Sequence, residues 1–180
     1  MTDDTTDGLT PGTDPRFLSK VCGITNLEDA RLSLELGANC LGINFYSKSP
    51  RFVEPRAAAR LIGELPAKVR VIGVVVLGTG DPEPWRDLAD RLDAIQVHGA
   101  AGEEDLEVFE GRRLLVAVAP SQADRFPNYP VIVDTSWGTG QLASWEEAAR
   151  IARPFVLSGG LTPENVAEAM GRLRPVGVDV

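Results

Sequence analysis

Short β-type apolar runs alternate with stretches of helical spacing along the whole chain, and that alternation dictates a parallel sheet with helices on its outer side. Strands are expected at 17–21, 40–45, Arg70–Val76, 94–97, Leu114–Val118, Val131–Asp134, 155–157 and 176–180. Helices are expected at 26–36, with Thr25 and Glu28 as a capping box, and at Pro55–Gly63, where proline suits a first helical turn. Further helices are expected at 83–92, Glu103–Phe109, from Ser144 to Ala152 and from Pro163 to Met170, with at most an abbreviated one in 121–130. Eight strands joined by seven crossovers are the number that closes on itself. The expected fold is therefore an α/β, parallel, eight-stranded (β/α)₈ TIM barrel that stops on its last strand, without a final helix.

At 180 residues the chain is long enough for one sizeable core, so residues 17–180 are expected to form one barrel domain behind a flexible leader, 1–16, rich in Thr, Gly, Pro and acid. No apolar run reaches the roughly 18 residues of a membrane span, and the leader is neither a secretory signal nor a transit peptide. Eighteen basic against 26 acidic residues give a net charge of −8, which argues against a nucleic-acid partner and leaves room for a small anion held by locally gathered positive groups. Two cysteines and one histidine supply no usual metal-ligand spacing, and no metal or other cofactor is expected. A cytoplasmic location fits the two lone thiols.

Barrels of this kind carry their reactive groups where strands end and βα loops begin, so the polar residues just past each apolar run are the ones to inspect. Cys22 stands there in Lys20-Val21-Cys22-Gly23-Ile24-Thr25; an inert buried thiol is the plainer alternative. Asp134 follows three β-branched residues, a poor core choice for a carboxylate unless it is paired, functional or capping a loop. Gly138-Thr139-Gly140 after it offers amides to an anion. Gly159 and Gly160, in Ser158-Gly159-Gly160-Leu161-Thr162-Pro163, precede a helix N-terminus, where such barrels hold phosphate; a turn needed only for chain reversal is the alternative. Arg51, in the loop after the second strand, could grip a carboxylate with two parallel bonds, or simply be solvated. His98, closing the fourth strand, could bind the same group or be structural.

Taken in order, these segments resemble the phosphoribosylanthranilate isomerase family of tryptophan biosynthesis from Lys20 to Val180: Lys20 to Thr25, Gly42-Ile43-Asn44-Phe45 with Ser49-Pro50-Arg51, Gln96-Val97-His98-Gly99, Asp134 before Gly138-Thr139-Gly140, Ser158-Gly159-Gly160-Leu161 with Pro163 and Asn165-Val166, and Gly177-Val178-Asp179-Val180. The resemblance implies a cofactor-free Amadori rearrangement of N-(5'-phosphoribosyl)anthranilate to 1-(2-carboxyphenylamino)-1-deoxyribulose 5-phosphate. It implies Asp134 as general acid, Cys22 as general base, Arg51 on the anthranilate carboxylate and the Gly159 and Gly160 amides on the phosphate. His98 and Asp179 are counted with the substrate-binding residues. The chain departs from the family's pattern at Trp137 and at Leu142-Ala143, and it ends where the family continues with Ser-Ser-Gly, so one side of the phosphate cradle is expected to be missing.

Strand residues two apart share a face, so Lys20 should point inward with Cys22; closure would bring the eighth strand alongside and put Asp179 in reach of its ammonium. The expectation is an interior ion pair that lowers the Cys22 pKa towards neutrality. Two rivals stand beside this reading: a histidine-pathway barrel isomerase, which uses two aspartates where the first strand here ends in Cys22, and a non-catalytic or incomplete barrel. The expected partner is a small phosphorylated anion, and the expected assembly a monomer or homodimer.

Overall fold

A computed structural model of the chain describes residues 17–79, 86–134 and 145–180. The leader, the Gly138-Thr139-Gly140 loop with Trp137 and Leu142-Ala143, and the Ser144 cap lie outside them. Eight parallel strands form a closed barrel in sequence order: β1 (Leu18–Cys22), β2 (Cys40–Asn44), β3 (Arg70–Val76), β4 (Ala94–His98), β5 (Leu114–Val118), β6 (Val131–Asp134), β7 (Phe155–Ser158) and β8 (Gly177–Asp179). β1 pairs with both β2 and β8, the second pairing setting Lys20 opposite Asp179.

Alternation along each strand sorts the side chains into two layers. Leu41, Ile43, Ile95, Val97, Leu114, Val116, Val131, Val133, Phe155 and Leu157 point outward and join one apolar layer with buried helix residues such as Ala30, Ala58, Leu61 and Ala169. Cys40, Ile72, Leu115, Ala117, Ile132 and Val156 point inward and fill the barrel's lower part, with Leu18 and Ala94 packed against them. Fully buried strands of this kind carry near-continuous apolar runs, which is why β3, β5 and β6 fall where the sequence puts them to the residue.

Four α-helices lie among the described residues: α1 (Leu27–Glu35), α2 (Pro55–Gly63), α3 (Trp145–Ala148) and α4 (Val166–Leu173). The first is capped by Asn26, whose side chain accepts from the Asp29 amide, and not by the expected Thr25. The last opens at Val166 instead of Pro163, because Asn165 accepts from the Thr162 amide and donates to the Gly160 carbonyl, holding the preceding residues in a turn. Glu103–Phe109 is a 3₁₀ helix where an α-helix was expected. Its three-residue repeat stacks Leu106 and Phe109 on one face, and both are buried. Pro120–Arg125 is the abbreviated helix anticipated between β5 and β6, likewise 3₁₀. Of the expected helix at 83–92, residues 83–85 lie outside the described set, and the remainder holds only the 3₁₀ turn Ala89–Arg91.

Candidate active site

Every inward-facing position near the C-terminal ends of β1, β4, β6, β7 and β8 carries a polar side chain: Lys20 and Cys22, Gln96 and His98, Asp134, Ser158 and Asp179. Below them the interior is filled by Cys40, Ile72, Leu115, Ala117, Ile132 and Val156. The polar groups named here lie at the end at which βα loops converge.

Lys20 and Asp179 form the floor. The lysine Nζ donates to Asp179 Oδ1 at 2.7 Å, with 0% and 4% of the two side chains exposed, so the interior ion pair expected from strand parity is present. Ser158 Oγ lies 3.5 Å from the other carboxylate oxygen. Burial works against the ammonium, but Asp179 and Cys22 outweigh it and hold the Lys20 pKa above its ordinary value. Burial pushes Asp179 upward, against the pull of Lys20.

Cys22 sits one inward step above Lys20, its amide donating to the Val180 carbonyl at 2.7 Å. The chain then reverses tightly: Gly23 and Ile24 both donate to the Gly42 carbonyl, and Gly23 takes φ = 81°, a left-handed conformation that favours glycine. A Cβ at Gly23 would stand 2.5 Å from Arg51 Cδ and Nε, which shows the Arg51 side chain lying across this turn, next to Cys22. The Arg51 loop is tied down by Asn44, whose Nδ2 donates to Ser49 Oγ, and by the Arg51 amide donating to the same hydroxyl. A Cβ at Gly42 would be 3.0 Å from Cys22 Sγ and from Lys20 Nζ. Gly42 therefore keeps open the space the thiol and ammonium share.

The Cys22 pKa is not lowered, contrary to what the neighbouring ammonium alone leads one to expect. Burial raises it, Lys20 and Arg51 pull it down, Asp179 pushes it up again, and the sum is a thiol held above its ordinary value. The ammonium acts in the expected direction, but the cost of placing a thiolate in this dry barrel is larger. Cys40, on β2 level with Lys20, is also raised by its burial, to about 12.

Asp134 ends β6 on the inward face, opposite Ser158 in register. His98 ends β4 on the same face; burial and Lys20 depress it to about 4 against the upward pull of Asp134, leaving a neutral imidazole. Gly159 and Gly160 follow β7 with φ of 92° and 65°, and Asn165 fastens their turn to the start of α4. Gly42, Asn44 and Gln96 stand in this environment without a role that the sequence assigns. Counting back two positions from Cys22 finds Lys20, and the same step from His98 finds Gln96.

A closed parallel barrel with a thiol, a carboxylate and a glycine turn gathered at its C-terminal mouth defines the class: a (β/α)₈ barrel equipped for acid–base chemistry on an anionic ligand. The family model described as N-(5'phosphoribosyl)anthranilate (PRA) isomerase matches residues 19–180. The curated N-(5'-phosphoribosyl)anthranilate isomerase of Geotalea uraniireducens is 39% identical, over 89% of this chain and 85% of that one. The crystal structure of phosphoribosyl anthranilate isomerase from Thermotoga maritima superposes with a TM-score of 0.81 at 37% identity, covering 91% and 87% of the two chains. A phosphoribosyl anthranilate isomerase in complex with reduced 1-(o-carboxyphenylamino)-1-deoxyribulose 5-phosphate superposes at 0.76, also with 37% identity, over 91% and 86%. This chain belongs to the N-(5'-phosphoribosyl)anthranilate isomerase family.

Proposed function

We propose that Cys22 and Asp134 are the general base and general acid of this barrel, working across its mouth on one ribosyl amine. Family membership makes the reaction the isomerisation of N-(5'-phosphoribosyl)anthranilate in tryptophan biosynthesis. Asp134 gives a proton to the ribose ring oxygen, the C1'–O bond breaks, and the nitrogen lone pair forms an iminium. Cys22 takes the C2' proton, the electron pair left at C2' neutralises the iminium, and the resulting enolamine relaxes to the ketone. Each transfer of this kind contributes roughly 10² to 10⁴ in rate. The observation that carries the assignment is that both side chains end strands on the inward face, at the end of the barrel that holds the buried Lys20–Asp179 ion pair.

Arg51, which lies across the Gly23 turn, takes the anthranilate carboxylate with His98 in this reading, and the Gly159 and Gly160 amides take the phosphate. Asp179 contributes from below, through Lys20. No helix among the described residues is long and apolar enough to cross a membrane. A cytoplasmic protein, monomer or homodimer, acting on a small phosphorylated anion and not on nucleic acid, is the reading that accords with two free thiols and a net charge of −8. Calorimetric titration with the reduced product analogue tests the site. Saturable binding that weakens in Arg51→Met supports it; no binding by the folded chain would favour a non-catalytic barrel instead.

A further inference from the structure

Gln96 is used by none of the steps above, yet it is 2% exposed and faces into the barrel two residues before His98. Its carboxamide nitrogen lies 2.9 Å from His98 Nε2, and its Oε1 has no hydrogen-bond partner among the described residues. An amide N–H only donates, so the ring nitrogen facing it must offer a lone pair. The neutral imidazole then carries its proton on Nδ1. The opposite orientation of the carboxamide would make His98 Nε2 the donor and point a buried NH₂ group, with two hydrogens, at the place where Oε1 now lies unpartnered. A buried carbonyl tolerates being under-satisfied better than an amide donor does.

We propose that Gln96 is a positioning residue, which holds His98 as the Nδ1–H tautomer so that the ring offers a donor, and not a lone pair, to an anionic group in the barrel mouth. Among the described residues, the charges that reach the imidazole are those of Asp134 on β6 and Lys20 on β1; neither accounts for the hydrogen-bond geometry at Nε2. Burial keeps the ring neutral at working pH, and a neutral ring is what a donating amide requires. The consequence for substrate rests on the reading of His98 as a contact of the anthranilate carboxylate. The tautomer itself does not.

The chain has one histidine, so imidazole ¹⁵N NMR of the whole protein reads this ring alone. Wild type at neutral pH is expected to show a protonated Nδ1 and a pyridine-type Nε2. In Gln96→Met the protonated form should redistribute towards Nε2, and in Gln96→Glu, where a carboxylate faces the ring, Nε2 should become protonated. KM should rise about tenfold in Gln96→Met with kcat changed less, as for one hydrogen bond lost from binding. A pyridine-type Nδ1 in wild type overturns the proposal before any variant is made. An unchanged tautomer in both variants overturns it as well. An unchanged KM in His98→Gln would instead remove His98 from the substrate contacts, and so separates failure of the binding reading from failure of the tautomer assignment.

Discussion

Replacing Lys20 by methionine removes the positive charge beneath Cys22 while keeping an unbranched side chain only one atom shorter. Because a methyl at Gly42 would be 3.0 Å from both Cys22 Sγ and Lys20 Nζ, the two atoms are within ~6 Å, and their attraction at an effective dielectric constant of ~20 is about 3 kcal/mol. That corresponds to roughly 10² in the ratio of thiolate to thiol. Asp179, 2.7 Å from the ammonium and of opposite sign, pushes the thiol up in wild type and variant alike. Lys20→Met should therefore slow alkylation of Cys22 by roughly 10 to 10² at neutral pH, and Asp179→Asn, which leaves the ammonium unopposed, should speed it. Mass spectrometry of iodoacetamide-treated protein assays this site cleanly, since Cys40 is wholly buried with its thiol pushed up to about 12. Lys20→Met leaves a buried carboxylate alone, so the Lys20→Met/Asp179→Asn double variant should be more stable than that single one. Alkylation that changes in the same direction in both single variants, or in neither, would refute the electrostatic account.

Three further outcomes follow from the geometry. A Cβ at Gly177 would stand 2.5 Å from Leu18 Cβ and 2.6 Å from the Leu18 carbonyl oxygen, so Gly177→Ala should open the β1–β8 seam and cost about 1–3 kcal/mol by urea denaturation; an unchanged midpoint would contradict the seam's tight approach. The depressed His98 pKa means that the unfolded chain takes up this proton first: its contribution is complete above about 6.5 and is lost as pH falls towards about 4. Denaturation curves should show a loss of at most about 3 kcal/mol over that window in wild type and a flatter profile in His98→Gln; parallel profiles would disprove it. Since burial raises the Cys22 thiol, kcat/KM should climb with pH as the thiolate forms, and a rate that is flat through the alkaline range would exclude the thiolate as base.

Most of the frame was legible because buried parallel strands read as near-continuous apolar runs rich in β-branched residues, as in Arg-Val-Ile-Gly-Val-Val-Val at Arg70–Val76 and Val-Ile-Val-Asp at Val131–Asp134. The Lys20–Asp179 pair followed from two rules, strand parity and barrel closure, which need no coordinates. Other features depended on tertiary balance. Glu103–Phe109 has helical spacing for either kind of turn, so the pattern alone does not distinguish 3₁₀ from α. Asn26 outcompetes Thr25 as a cap through a local hydrogen bond that the capping-box pattern does not rank. The direction of the Cys22 shift is not legible in the sequence, because pattern reveals which charge is near but not how dry the surroundings are. Gln96 lies on the legible face of β4, but its importance is in the direction of one N–H bond, which no periodicity encodes.

The central claim is that one thiol and one carboxylate carry the proton transfers. Steady-state turnover of N-(5'-phosphoribosyl)anthranilate by Cys22→Ser and Asp134→Asn tests it most directly, with circular dichroism confirming that each variant is folded. Each substitution should lower kcat by at least ~10², the loss expected for a missing base or acid. Wild-type turnover in both folded variants would contradict the assignment.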